Sequence, residues 1–408
     1  MVVFDSPQRA RARNRRLVLD TVHGHGGVTR AQLGAIIKLS KTSIKEICDD
    51  LIDEGLLEEY QSEPAKRQQG RPALTLRIAT GHGSVLGIDV GADKVSARVA
   101  TLAGDVLASK EIRTRREKPD REYLLALAQK AVTAIQESGD EETREFHTVV
   151  VSTPGVVDPR TQVVSLAPQI LGWDGTDLRA SFAEYLDVDP ARVFVESQTD
   201  LSVLAESVAG AAEGIDTVLY VQLGIGIGGG IIVDGRPCTG AVGAAGELGY
   251  LPLGFGDDAP AGSGIGAWEW AAGGRAWARH GRAAATEPGG KRLLELAGGN
   301  PDDVDAEVVF RGVHEGDRAS IAVFERMTHR LAAGIASAVC VINPECVLIA
   351  GGLSKGGELL LDALREELRQ LVPIMPNVLL AAFGGDGGVT GALYKATERA
   401  FDALNPLP

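Results

Sequence analysis

Lysines and hydroxyl side chains cluster at the start of one predicted helix, in a pattern that suits contact with a polyanion. Lys41, Thr42, Ser43 and Lys45 follow Ser40, a residue type that caps helix N-termini. Ammonium groups and short hydroxyl donors at a helix start bind the phosphates and base edges of DNA, and the helix dipole adds to the attraction for phosphate. We therefore predict that the first turns of this helix contact DNA.

A second basic group lies in a loop between two predicted strands. Lys66, Arg67 and Arg71 are its members, and Arg71 stands between Gly70 and Pro72. An arginine held in an extended chain can enter a narrow minor groove, where the electrostatic potential of DNA is most negative. Glycine and proline are also common in linkers, so the same residues fit a plain loop. We predict that Lys66, Arg67 and Arg71 contact DNA.

The elements that must position these residues form a predicted winged helix-turn-helix over residues 1–80. Thr29 and Gln32 have the spacing of a capping box at the start of the second helix, and Gly55 is a typical end for the third. Apolar positions at helical spacing support the first and third helices: Leu17, Val18, Thr21 and Val22, then Ile44, Ile47, Cys48, Leu51 and Ile52. Two strands around the basic loop form the wing. The alternative is a winged helix that makes only protein contacts.

Charge is distributed unevenly along the chain. The 408 residues carry a net charge of −14, yet the first 80 residues are slightly basic, with an arginine cluster between Arg9 and Arg16. This contrast favours a polyanion as the partner of that segment alone. We find no stretch long and apolar enough to span a membrane and no secretory signal pattern. Four cysteines without a CxxC pair argue against a disulfide framework or zinc site, so we expect a cytoplasmic protein.

Two glycine-rich units organise the remaining chain in similar ways. Residues 84–109 and 217–237 each predict an apolar strand, a glycine turn, a second apolar strand and a further glycine turn beside an aspartate. Such turns let backbone N–H groups approach phosphate or sugar oxygens. Helical patterns follow at Tyr123–Gln136 and Ile321–Ile342, which predicts an α/β fold with two duplicated lobes facing a cleft. Neither unit matches a dinucleotide-binding fingerprint, and the chain has no GK[ST] phosphate loop.

Several segments resemble the ROK family, which comprises repressors, uncharacterised reading frames and sugar kinases. The segments are LGIDVGADK (86–94), STPGVVDPRTQVV (152–164), APQILGWDGTDL (167–178), LGIGIGGGIIVDGRPCTGAVGAAGELGY (223–250) and NPECVLIAGGLSKGGELL (343–360). The resemblance covers essentially the whole chain. It implies a duplicated actin-like (ribonuclease H-like) two-lobed domain of the ATPase type behind the winged helix-turn-helix.

The chain departs from the family pattern where a kinase needs its general base. The resemblance aligns residues 196–200, Glu-Ser-Gln-Thr-Asp, with the family's E-N-D-A-N, whose aspartate deprotonates the sugar hydroxyl. Gln198 then replaces that aspartate, and an amide cannot accept the proton. If the alignment is shifted by two positions, Asp200 is the base. GADK in place of the family's GGTK adds the carboxylate of Asp93, which would repel ATP phosphates. We therefore expect no kinase activity.

The family's zinc pattern is altered as well. Its histidine position is Tyr250, and the segment that should supply three cysteines reads DDAPAGSGIGAWEW. Two glutamates that hydrogen-bond sugar hydroxyls in the family are retained as Glu247 and Glu269, and a tyrosine ring can pack on a sugar face. The alternative is that both glutamates are solvated surface residues. We predict a carbohydrate site, without metal or cofactor, at Ser197, Gln198, Glu247, Tyr250 and Glu269.

These observations together predict a DNA-binding transcriptional regulator, a repressor of carbohydrate-related genes that a small carbohydrate or sugar phosphate controls. The expected domains are the winged helix-turn-helix (1–80), a first lobe (81–195 with 385–408) and a second lobe (196–384) with the ligand cleft and dimer contacts. The expected partners are operator DNA, the effector and further copies of the chain in a homodimer or higher homo-oligomer, without a membrane. One alternative is an ATP-dependent sugar kinase with an attached DNA-binding domain. Another is a regulator that no longer responds to sugar.

Overall fold

Three helices and a two-stranded hairpin form the N-terminal unit. The computed structural model describes residues 7–24, 27–61, 74–79, 83–115, 119–256, 259–260 and 263–404. The helices are α1 (Pro7–Gly24), α2 (Arg30–Ile37) and α3 (Lys41–Asp53). The hairpin pairs β1 (Leu57–Gln61) with β2 (Leu74–Ile78) in antiparallel register, so α3 and the hairpin follow one another along the chain as the sequence predicts.

The predicted helix ends of this unit are confirmed. The Thr29 backbone N–H donates to Gln32 Oε1 at 2.8 Å while Gln32 N–H donates to Thr29 Oγ1 at 3.3 Å, which completes the capping box. Ser40 Oγ accepts from the Ser43 N–H at 3.1 Å at the start of α3. Gly55 has a φ of +77°, a left-handed conformation that glycine adopts without the steric penalty of a Cβ. Local side-chain chemistry therefore sets where α2 begins and where α3 begins and ends.

The apolar face of α1 is only partly as predicted. Val18 and Val22 are buried, but Leu17 is 41% exposed and Leu19 is completely buried instead. The four-residue pattern was too short to orient the helix, because α1 begins earlier, at Pro7, and packs against α2, α3 and β2 together. The α3 positions Ile44, Ile47, Cys48 and Leu51 are buried, which confirms that stripe.

The first α/β unit is built on a five-stranded sheet. Its elements are β3 (Ser84–Val90), β4 (Lys94–Thr101), β5 (Val106–Arg113), α4 (Arg121–Ser138), β6 (Phe146–Thr153), β7 (Val156–Val157), β8 (Val164–Ser165), α5 (Leu178–Leu186) and β9 (Val193–Ser197). The strand order is β5-β4-β3-β6-β9. β3 is antiparallel to β4 and parallel to β6, and β6 is parallel to β9, so the sheet is mixed.

The second α/β unit repeats this plan with more helices. Its elements are α6 (Gln198–Ala209), β10 (Val218–Leu223), β11 (Ile227–Val233), β12 (Arg236–Pro237), α7 (Ala267–Ala272), α8 (Gly274–Thr286), α9 (Lys291–Leu296), α10 (Ala306–His314), α11 (Arg318–Ile342), β13 (Cys346–Ala350), α12 (Gly357–Leu371) and β14 (Asn377–Leu380). The strand order is β12-β11-β10-β13-β14. The last helix, α13 (Gly387–Leu404), returns to pack on β3, β4 and β6 of the first sheet.

The two sheets share one strand order and one set of strand directions. In each, an antiparallel three-stranded meander supplies the first strands and two parallel strands complete the sheet. Those meanders are the two glycine-rich units recognised in the sequence, so the α/β class and the duplication are both borne out. None of the helices in the described ranges is long and apolar enough to cross a membrane.

The N-terminal unit shares an apolar cluster with the first sheet and with α13. Val18, Leu33 and Leu51 belong to the same buried cluster as Ala396 and Phe401 of α13. The ring of Phe401 lies 5.0 Å from the ring of His23 between centroids, and Arg16 forms an ion pair with Asp402. Helix α1 of this unit is therefore held against the end of α13 by a ring contact and by a charge pair, and the unit shares an apolar cluster with that helix.

Candidate functional site

The N-terminus of α6 lies between the two sheets, where it contacts β9 and β6 on one side and β10 and β11 on the other. Two glycines allow this close approach. A Cβ at Gly230 of β11 would lie 2.5 Å from the carbonyl oxygen of Thr199, and a Cβ at Gly391 of α13 would lie 1.8 Å from that of Leu201. Glycine is required because both distances are far below van der Waals contact. The start of α6 is thereby fixed against both neighbouring elements.

Gln198, the first residue of α6, is hydrogen-bonded to a buried carboxylate. Its Nε2 donates to Asp89 Oδ1 at 2.9 Å and to Asp89 Oδ2 at 3.1 Å, and Ser152 Oγ also donates to Asp89. Asp89 is only 1% exposed, and burial raises its pKa to about 6 even though both hydrogen bonds oppose that rise. The Gln198 amide thus has its donor directed at Asp89 and no proton-accepting group of its own.

Asp200, two residues after Gln198 in α6, has a different environment. It is 7% exposed and its Oδ1 has no hydrogen-bond partner among the described residues. Burial is the main cause that raises its pKa to about 7, and the charges of the neighbouring carboxylates Glu196 and Glu247 contribute to that rise. The sequence alignment left open whether position 198 or position 200 holds the general base. In the structure these positions have different neighbours: Gln198 contacts Asp89, and Asp200 lies near two glutamates.

Glu247, Tyr250 and Glu269 lie close enough to influence one another. Burial raises the pKa of Glu247, and the charge of Glu269 adds to that rise. Burial likewise raises the pKa of the Tyr250 phenol, followed by the charges of Glu247, Glu269 and Asp174. Glu269 Oε2 accepts from the Ile227 N–H at 3.1 Å. Both glutamates are half-buried, so the alternative of fully solvated surface residues does not hold.

The glycine signature has a structural role at this carboxylate. A Cβ at Gly226 would lie 2.5 Å from Glu269 Oε2 and 2.9 Å from its Cδ. Glycine at position 226 therefore lets the side chain of Glu269 rest on the turn between β10 and β11. At Gly226, the glycine-rich segment therefore makes room for the Glu269 carboxylate beside the Ile227 N–H, and it does not form an open loop there.

The remaining hydroxyls of the predicted sugar site already have partners. Tyr250 donates its hydroxyl proton to the Gly264 carbonyl oxygen at 2.7 Å, and Ser197 Oγ lies 3.1 Å from Thr199 Oγ1. The Tyr250 hydroxyl, which the sequence resemblance aligned with a zinc ligand, thus donates to a backbone carbonyl. Across the described ranges, no three His, Cys, Asp or Glu side chains lie together in a way that could hold a metal ion. These residues do not fit a zinc site.

The cations of the first glycine turn are neutralised by neighbouring carboxylates. Lys94 Nζ lies 2.8 Å from Glu111 Oε2 and 3.2 Å from Asp386 Oδ1. Arg98 also pairs with Asp386, and its Nη1 donates to Thr390 Oγ1 at 2.9 Å. Asp93 itself is exposed. Within the described residues, the turn that the resemblance assigns to ATP phosphates therefore has a carboxylate without an ion pair, while Lys94 and Arg98 are already paired.

The predicted DNA contacts on α3 lie at an open surface. Lys41, Thr42 and Lys45 are exposed, and the two lysines form no ion pair with any residue that the structure describes. Ser43 is half-exposed, and its Oγ lies 2.9 Å from Ser40 Oγ within the helix cap. The other three predicted contacts, Lys66, Arg67 and Arg71, lie outside the described residues.

Arginines near the N-terminus pair with the acidic second half of α3. Arg15 Nη1 donates to Glu54 Oε1 at 2.8 Å, and Arg11 forms an ion pair with Asp50. Arg30 of α2 lies 2.6 Å from Asp49. Arg11 and Arg15, which the charge pattern assigned to a basic surface, are instead partly neutralised within the unit. Lys41 and Lys45 at the start of α3 form no ion pair with any described residue of the unit.

Sequence analysis missed the roles of Asp89 and Ser152. Asp89 stands inside the LGIDVG segment, where a carboxylate at the end of an apolar strand was an available signal. Ser152 has no comparable local signal, because only the parallel pairing of β3 with β6 sets it opposite Asp89. Gln198, Asp200 and the two glutamates were identified from the sequence, but not their partners.

Comparisons with known proteins identify the family and the fold of the chain. A model described as ROK family matches residues 85–399. A xylose repressor from Caldicellulosiruptor bescii is 27% identical over 357 residues, 88% of this chain and 87% of the relative. A ROK family glucokinase from Streptomyces griseus, solved with glucose and AMPPNP, is 27% identical with a TM-score of 0.65, covering 78% of this chain and 100% of its own. A ROK family transcriptional regulator, homolog of the E. coli MLC protein, has a TM-score of 0.77 at 22% identity, covering 97% and 98%, which shows a common fold.

Proposed function

The chain belongs to the ROK family, and from that premise we propose that it is a sugar-responsive transcriptional repressor without kinase activity. The N-terminal unit, residues 1–80, binds operator DNA as a winged helix-turn-helix. Residues 81–195 with 385–408 form one lobe, and residues 196–384 form the other. A sugar at Ser197, Gln198, Glu247, Tyr250 and Glu269 controls DNA binding, and the chain acts as a homodimer because a two-fold protein matches a palindromic operator.

The single observation that carries the absence of kinase activity is the hydrogen bonding of Gln198. Its amide donates to both oxygens of Asp89, so the position aligned with the kinase base holds a donor that a neighbouring carboxylate occupies. General-base catalysis typically contributes roughly 10²–10⁴-fold to rate, and an amide supplies none of it. Asp200 is buried, and the charges that act on it are those of Glu196 and Glu247. The ion pairs of Lys94 and Arg98 also argue against kinase activity, because these cations are already paired with a carboxylate of the protein.

Helix α13 provides a physical connection between the sugar site and the DNA-binding unit. Its first turn packs on Asp89, the carboxylate that Gln198 and Ser152 contact, since a Cβ at Gly388 would lie 2.4 Å from Asp89 Oδ1. Its last turn carries Phe401 and Asp402, which contact His23 and Arg16. The 18 residues of the helix span about 27 Å. A ligand that binds one arrangement of α6 and α13 more tightly than another would shift the position of the N-terminal unit.

The proposal is tested by electrophoretic mobility shift with the DNA upstream of the protein's own gene, repeated with a panel of sugars. We expect a specific complex that one sugar weakens or strengthens at least fivefold. The same protein is incubated with ATP, Mg²⁺ and each sugar, and no sugar phosphate is expected. Turnover that disappears in Asp200→Ala would establish the kinase instead. A complex insensitive to every sugar would identify a regulator that has lost ligand control.

Lys41→Ala is expected to weaken operator binding and to lower the salt dependence of binding. Loss of one phosphate contact reduces the slope of log K against log salt by about 1, and affinity at moderate salt by roughly 3–10-fold. Fluorescence anisotropy over a salt series measures both quantities. Lys110→Ala is the matched control, because Lys110 is an exposed lysine on strand β5, away from α3. An unchanged slope in Lys41→Ala would remove the start of α3 from the DNA interface.

A further inference from the structure

The sugar site has used most of its hydrogen-bond donors within the protein. The Gln198 amide donates to Asp89, and the Tyr250 hydroxyl donates to the Gly264 carbonyl. The Ser197 and Thr199 hydroxyls are hydrogen-bonded to each other. A ligand in this pocket therefore meets mainly acceptors. A carboxylate accepts hydrogen bonds only when it is ionised, so a ligand that brings donors and a positive charge would favour the ionised form of these groups.

The charges that act on Asp200 and Glu247 are those of neighbouring carboxylates. The ionisable groups that act on Asp200 are Glu196 and Glu247, and the one that acts on Glu247 is Glu269. Glu196 is compensated, because Arg399 Nη2 lies 2.7 Å from its carboxylate. No comparable cation acts on Asp200 or Glu247 within the described part of the chain. The pocket thus concentrates negative charge in a partly buried space, where screening by water is weak.

Asp200 gives the clearest indication that a ligand has to supply a hydrogen-bond donor to this site. It is 93% buried, and its Oδ1 has no partner among the described residues. A buried acceptor left without a donor costs roughly 1–3 kcal/mol, and more when it is charged. A group that both donates hydrogen bonds and carries positive charge would satisfy it.

We propose that the pocket binds a sugar with a free, protonated amine, whose ammonium group lies between Asp200 and Glu247 while its hydroxyls donate to Glu269. An ammonium has three donors, and its charge compensates the carboxylates. Sugar phosphates and sugar acids are excluded, since they add negative charge and acceptors to a site that already has both. This inference rests on one part of the proposed function, namely that these residues form the effector site.

Isothermal titration calorimetry on the full chain at pH 7, without DNA, tests the inference. The ligands are glucosamine, galactosamine and mannosamine, each beside its parent hexose, its N-acetyl form and its 6-phosphate. We expect one amino sugar to bind at least tenfold more tightly than its parent hexose, with the N-acetyl and 6-phosphate forms weaker still. Asp200→Asn should remove the preference for the amine over the parent hexose.

Asp105→Asn is the matched control, because Asp105 is exposed in the turn between β4 and β5 and the change removes the same charge. It should leave the tenfold preference intact. A thermal melt of Asp200→Asn establishes that this variant is folded. Equal or tighter binding of a parent hexose, or of a sugar phosphate, overturns the amine inference and leaves the sugar-responsive repressor standing. Absence of binding by every sugar overturns both, whereas loss of DNA binding alone contradicts only the repressor.

Discussion

Gln198→Glu is expected to destabilise the protein by about 2–3 kcal/mol at pH 8. The substitution places a carboxylate where an amide nitrogen now lies 2.9 and 3.1 Å from the two oxygens of Asp89. Two buried carboxylates at that separation cannot both be ionised without strong repulsion, so one must hold a proton. Asp89 also loses the donor that now opposes the effect of burial on its pKa.

The destabilisation of Gln198→Glu should depend on pH in a defined direction. The pKa of Asp89 is already raised to about 6 by burial, and a second carboxylate raises the pKa of the pair further. A group whose pKa is higher in the folded state contributes stability at low pH that is lost as the pH rises through the folded value. The difference from the parent protein should therefore be below about 1 kcal/mol at pH 5 and should grow steadily between pH 6 and pH 8.

Urea unfolding at pH 5, 6, 7 and 8 measures this dependence. Gln129→Glu is the matched control, since Gln129 Nε2 also donates one hydrogen bond, to the Tyr185 carbonyl at 2.8 Å, but at an exposed site. The control loses a donor and gains a charge without a carboxylate beside it, so its effect should be small and nearly independent of pH. Equal stability of Gln198→Glu and the parent at pH 8 would contradict the contact between Gln198 and Asp89.

Asp200→Asn is expected to stabilise the protein, by about 2–4 kcal/mol at pH 8. Burial raises the pKa of Asp200 to about 7, well above its value of about 3.9 in an unfolded chain. Ionisation of this carboxyl in the folded state therefore reduces stability progressively from about pH 4 to about pH 7, and the neutral asparagine removes that penalty. At pH 4 the variant and the parent should unfold at nearly the same urea concentration.

The comparison of Asp200→Asn with Asp105→Asn separates this effect from a general loss of negative charge. The exposed control should change stability by less than about 0.5 kcal/mol at every pH. If Asp200→Asn is less stable than the parent at pH 8, then the carboxylate has a partner that compensates its charge. A gain in stability together with a loss of amine preference would mean that the site retains a destabilising charge for ligand recognition.

Some features of this protein are determined by short segments of sequence. The capping box at Thr29 and Gln32 and the glycine after α3 depend on groups three or four residues apart, so local chemistry is sufficient to predict them. The two strand-turn-strand units are likewise recognisable from alternating apolar runs and glycine turns, and both became the antiparallel halves of their sheets. The amide at position 198 is visible in the sequence itself.

Tertiary structure alone decided which groups the polar and charged side chains of the site and of the N-terminal unit contact. Ser152 and Gln198 reach Asp89 across 63 and 109 positions of the chain, because β3 pairs with β6 and α6 begins where β9 ends. Arg11 and Arg15 are paired with carboxylates 39 positions away, so a surface that the charge pattern predicts as basic is partly neutralised. Burial and charge pairing depend on distances in space, and a sequence pattern reports distances only along the chain. The burial of Asp200 and the exposure of Leu17 were therefore settled by packing.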